Sequence, residues 1–105
     1  MKLLRVGEHG KEIPAIIDSQ NNLRNLSKII NDFTPENLNF EILDKIKELN
    51  LNSLPLINNN QRIGPCVIKP ANFIAIGLNY KAHAEETNSD APKEPIVFNK
   101  SPNCI

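Results

Sequence analysis

A chain of 105 residues, 40% of them apolar and 23% charged, has room for one folded domain, or for a small domain and part of another. Twelve basic and twelve acidic residues cancel, which argues against nucleic acid or an anionic membrane as a partner, and four Phe, one Tyr and no Trp offer no base-stacking surface. No apolar run nears the ~20 residues of a membrane span. Met1–Arg5 lacks the apolar core of a signal peptide, and Cys66 and Cys104 form no CxxC pair, so a cytoplasmic protein with reduced thiols is expected.

The first elements are short. Residues 2–6 read as a strand ended by Gly7, and Glu8–Lys11 as a turn in which His9 is a surface residue. Ile13 to Ile17 is a β-branched run interrupted by Pro14, which donates no hydrogen bond and so suggests an edge strand. Asp18–Asn22 is a polar turn, and apolar alternation returns from Leu23 to Leu26. The sum is a small meander or hairpin set.

The period then changes. Leu38, Ile42, Ile46 and Leu49 recur at helical spacing beside Leu43, while Asp44, Lys45, Lys47 and Glu48 hold the other face. Thr34 followed by Pro35 is one possible start, and Asn39 with Glu41 in the first turn is the competing cap. Asn50 is a plausible left-handed stop, and a shorter helical piece is expected over Leu26 to Ile30. Such a stripe is normally core packing against the meander; a partner-binding helix is the rarer alternative.

Asn58–Gln61 looks like a linker, which places a domain boundary near Asn60. Beyond it, Gly64, Pro65 and Pro70 punctuate an extended approach to a strand over 73–77. A polar helix or lid follows near 80–87, then a second apolar strand over 96–100. Gly77 ends the first strand, and Gly77–Tyr80 leads into a helix start of the kind that suits a carboxylate or phosphate.

Within that helix, His83 and Glu86 are spaced i, i+3. A carboxylate that accepts one imidazole N–H fixes the tautomer, leaving the other nitrogen free to take a proton near neutral pH. Pairs of this spacing also occur on many solvated helix faces, so spacing alone leaves both readings open. Lys100, ending the second strand, could meet an anionic substrate or simply be solvated. The carboxylates are scattered, and no set has the spacing of a metal site.

Taken together, Ile76–Glu86 and Pro95–Lys100 carry the pattern G-x-N-Y-x-x-H-x-x-E followed by P-x-x-F-x-K. This closely resembles the fumarylacetoacetate hydrolase family, in particular its bacterial branch labelled ureidoglycolate lyase or 2-hydroxyhepta-2,4-diene-1,7-dioate isomerase. Met1–Arg5, Leu23–Ser27, Ser53–Leu56 and Arg62–Cys66 are similar to that branch's N-terminal domain, so the resemblance covers the whole chain.

It implies an α+β chain: residues 1–60 as an N-terminal domain of β-meander and helix, and 61–105 as the first strands of a mixed β-roll. His83 and Glu86 match the family's catalytic dyad. Asn79 and Tyr80 match residues leading into its lid, and Lys100 matches a lysine at the next strand end, all three expected to bind substrate. The implied substrates are 2-oxo, β-diketo or related carboxylic acids, handled by C–C hydrolysis, decarboxylation, isomerisation or lyase chemistry. The family's Mg²⁺ or Mn²⁺ is held by three carboxylates downstream of the P-x-x-F-x-K segment, and this chain is not expected to bind it tightly. On that basis the chain is expected to be an N-terminal fragment inactive alone. The alternatives are half of a split enzyme completed by a separate C-terminal chain, or a non-catalytic interaction module; the partner expected is that separate half or a second copy in a homodimer.

Overall fold

The apolar alternation at the start of the chain becomes a four-stranded antiparallel sheet. Its strands are β1 (Lys2–Val6), β2 (Ile13–Ile17), β3 (Leu23–Asn25) and β4 (Leu56–Ile57), in the order β1-β2-β3-β4. In this computed structural model, which describes residues 1–105, the chain divides into two compact units, Met1–Pro70 and Ala71–Ile105. The architecture is α+β.

β2 is a central strand, not the edge strand that Pro14 suggested. The hydrogen-bond alternation explains the difference. Arg5, paired with Pro14, turns its carbonyl outward to the Gly64 N–H (2.8 Å), and Pro14 turns its own to the Leu26 N–H (3.0 Å). Arg5 and Pro14 therefore form a pair that exchanges no bond, and the missing proline N–H leaves the β1–β2 ladder intact. Asp18 closes the β2–β3 turn, with Asn21 in the left-handed region at φ 61°. Its carbonyl accepts from the Asn21 N–H, and its carboxylate from the N–H groups of Gln20 and Asn22.

The helix α1 spans Phe40–Lys47. Of the two candidate caps, Asn39 is the one used: its side chain accepts from the Ile42 N–H at 3.1 Å. Thr34 is engaged elsewhere, in a reciprocal pair of bonds with Asn37. Glu41 in the first turn and Lys45 and Lys47 in the last complement the helix dipole. Asn50 is not a left-handed stop. Its φ is −73°, and it caps a following 3-10 turn, Leu51–Ser53. Residues 26–30 make only a single turn, closed by the Ile29 and Ile30 N–H groups on the Leu26 carbonyl.

Cross-strand register sorts the sheet's faces. Leu3 and Ile16 lie on one face and join Leu26, Ile30, Phe33 and Ile46 in the larger core, with Leu38, Ile42 and Leu49 packed around it. Burying Phe33, Leu26 and Ile46 contributes roughly 1.5–3 kcal/mol apiece. Val6, Ala15 and Leu23 form a second cluster on the opposite face with Leu4, Ile13, Ile17 and Ile57.

The unit boundary falls after Pro70 rather than near Asn60, because residues 62–68 are fastened to the first unit. Val6 bridges to Ile63, the Gly7 N–H donates to the Arg62 carbonyl, and the Ile68 N–H donates to the Phe33 carbonyl. Charge reinforces this. Buried Glu12 takes an Arg62 bond at 2.7 Å and lies 3.6 Å from Arg5, which grips Asp32 through two bonds of 2.7 and 3.0 Å. Gly64 is required here, since a Cβ would lie 2.8 Å from the Glu12 side chain.

The second unit holds β5 (Phe73–Gly77), the short helix α2 (Lys81–Glu86) and β6 (Ile96–Lys100), with β5 and β6 paired antiparallel. A 3-10 turn at Pro102–Cys104 follows.

Candidate functional site

β5 delivers the chain to the segment that carries the family resemblance. Gly77 still belongs to the strand and pairs with Ile96; the residue that bends the backbone is Leu78, at φ 47°. An L-residue in this region is disfavoured by its Cβ, and a leucine there is unusual. Tyr80 is the residue before α2. It is extended (φ −115°, ψ 130°) and makes no side-chain capping bond. α2 has six residues and no side-chain cap at its start.

The other end of α2 is well closed. Asn88 adopts φ 52°, its N–H donates to the Glu85 carbonyl at 3.1 Å, and the Ser89 N–H reaches the Ala84 carbonyl at 2.9 Å. This is a Schellman arrangement. The Thr87 hydroxyl adds bonds to the carbonyls of His83 and Ala84. Ala84 is the buried residue of the helix, so its opposite side faces water.

Asn79, Tyr80, His83 and Glu86 are all exposed on this turn and helix. The fold thus gathers four of the five candidate residues within one short segment. His83 and Glu86 share α2 but no hydrogen bond joins them; the ion pair on the helix is Lys81–Glu85 at 3.6 Å. Lys100 is placed elsewhere. It pairs with Phe73 at the far end of the hairpin from Gly77, about 13 Å along the strands. There its ammonium lies 5.9 Å from the centre of the Phe73 ring, a cation–π contact.

No group of three or more His, Cys, Asp or Glu side chains comes together in the chain. The residues present therefore do not fit the three-carboxylate cation site that the resemblance implies. Cys66 and Cys104 are exposed free thiols. The first unit has a separate cleft of about 510 Å³, floored by Ile16, Ile46, Leu49 and Leu51 and containing none of the candidate residues. Its one carboxylate, Asp18, is already committed to Arg24 at 2.8 Å. No helix is long and apolar enough to cross a membrane.

No protein-family model matches the chain. Over 100 residues, 95% of its length, the chain is 42% identical to a protein named "Putative hydrolase" from Burkholderia ambifaria. It is 43% identical, over the same length, to similarly designated proteins from Burkholderia multivorans and Burkholderia cenocepacia. Each match takes in 36% of the relative, so the chain spans little more than a third of the curated relatives it matches.

Proposed function

We propose that the chain contributes the dyad segment of a hydrolase of the fumarylacetoacetate hydrolase type, acting on 2-oxo or β-diketo carboxylic acids. The observation that carries this reading is the placement of His83 and Glu86 on a short exposed helix, entered through a disfavoured left-handed residue at the end of an apolar strand. Backbone strain of this kind is found where a fold must aim side chains. The hydrolase designation of the relatives agrees with it.

In this reading His83 takes a proton from water and Glu86 holds the imidazole in the required tautomer. The two side chains share no hydrogen bond here, so the pair forms by rotamer change when substrate seats against Asn79 and Tyr80, as lids do. In this reading, carboxylates for a divalent cation come from polypeptide other than these 105 residues. Lys100, at the other end of the hairpin, meets only a substrate long enough to reach it or acts through Phe73.

Two measurements test the proposal. Purified chain mixed with Mg²⁺ or Mn²⁺ is expected to leave oxaloacetate and acylpyruvates unchanged; sustained turnover by the chain alone would overturn it. A chimera in which the chain replaces the matched region of the Burkholderia ambifaria relative is expected to turn over a substrate of this class. His83→Ala or Glu86→Gln in that chimera should lower kcat about 10²–10⁴-fold. An unchanged kcat in both variants excludes the dyad role.

A further inference from the structure

The β5–β6 hairpin leaves five large apolar side chains in water. Ile74 is 61% exposed, Ile76 42%, Ile96 46%, Val97 62% and Phe98 43%. Register divides them between two faces. Ile76 sits opposite Val97, with Ile74 two residues along, on one face; Phe98 opposite Ala75 and Ile96 opposite Gly77 lie on the other.

An antiparallel sheet that meets solvent does so with one polar face, whereas apolar residues on both faces belong to strands buried inside a structure. Both outer edges are also free, since β5 and β6 pair only with each other. The usual protections of an edge are missing: neither strand holds a proline, and Lys100, at the end of β6, is their only charge. A lone two-stranded hairpin is marginal in water.

The occupant must therefore reach two edges and two faces together. A second copy of the chain pairing edge to edge would satisfy one edge and leave both faces wet. Stacked face to face, it would cover one face and neither edge. Several strands are needed, and the relatives contain polypeptide of that size, since nearly two thirds of their length lies outside the match.

We propose that the β5–β6 hairpin is a docking surface for β-strands from polypeptide equivalent to that unmatched part. The added strands bond to the outer edges of Phe73–Gly77 and Ile96–Lys100. They bury Ile74, Ile76 and Val97 on one face and Ile96 and Phe98 on the other. This is recognition by strand addition, in which backbone bonds hold the partner and alternating side chains set its register. It rests on exposure and pairing, and stands apart from any turnover.

The probe is the unmatched part of the Burkholderia ambifaria relative, expressed as its own polypeptide. Mixed with the chain, it should co-elute as a one-to-one complex by size exclusion with light scattering, with amide exchange slowed across β5 and β6. Ile76→Lys combined with Val97→Lys should weaken the complex at least ~100-fold, because docking would bury two unpaired ammonium groups. Unchanged exchange in the first unit establishes that the variant is folded. Three results overturn the proposal: no complex, a complex indifferent to the two lysines, or a homodimer that protects the hairpin without the probe. If the probe precipitates alone, the covalent chimera decides, with hairpin amides protected there and unprotected in the isolated chain; equal exchange in both overturns it. A protected hairpin in a chimera without turnover sinks the dyad reading and leaves this one standing, and turnover with an unprotected hairpin does the reverse.

Discussion

Asp18 shows how a single turn residue becomes structural. Its carboxylate is lowered from the ordinary 3.8 to about 2, first by the Asn22 N–H, and further by the Arg24 guanidinium and the Gln20 N–H. A group with a depressed folded pKa contributes stability that is present above its unfolded value and lost as pH falls through the folded one. The contribution is therefore complete above about pH 4 and fades toward pH 2. Asp18→Asn should melt at a lower temperature than the parent at pH 7, and the gap should close as both are melted at pH 2–3. A gap that persists unchanged at low pH would show that the carboxylate charge is not the stabilising element. Glu12, lowered chiefly by its Arg62 bond, adds to the acid sensitivity of both proteins alike. The turn at Asp18–Asn22 was legible because Asp and Asn favour such backbone. The left-handed Leu78 was not, since no local preference puts leucine there.

At the scale of elements, α1 was readable from Ile42 and Ile46, but its start was decided by a competition that sequence left open. Thr34 lost because Asn37 engages it. Asn39→Ala should lower stability by about 1 kcal/mol, seen as a reduced urea midpoint with unchanged slope, and Asn39→Asp should restore most of it. The helix end was harder. Asn50 and Asn88 are the same residue type after a helix, yet Asn88 takes the left-handed position and Asn50 caps the next turn. What separates them is whether the following residues can bond back into the helix, as Ser89 does. Pro14 misled because a missing N–H restricts a strand only where the ladder needs that bond. The candidate site was legible in part: sharing of α2 by His83 and Glu86 follows from spacing, whereas the remoteness of Lys100 emerges only once β5 and β6 are paired antiparallel.

For the whole molecule, burial is unequal. Eight of the nine buried core hydrophobics, including Phe33 and Leu26, lie in the first unit, and Ala84 stands alone in the second. The second unit is also shorter than the ~40 residues below which a domain usually needs a disulfide, metal or partner. Native-state hydrogen exchange on the isolated chain should show β1–β3 and α1 opening only by global unfolding, with amides of β5, α2 and β6 exchanging far faster. Equal protection in both units would contradict this ordering. The boundary itself was not legible near Asn60, because what holds residues 62–68 is a set of contacts to Arg5, Glu12 and Phe33, far away in sequence. That strap has a consequence for biosynthesis. Everything the first sheet needs, down to the segment sealing the β1 edge, has been translated by Ile68. On the ribosome the first unit can thus begin to settle before the apolar β6 strand has emerged.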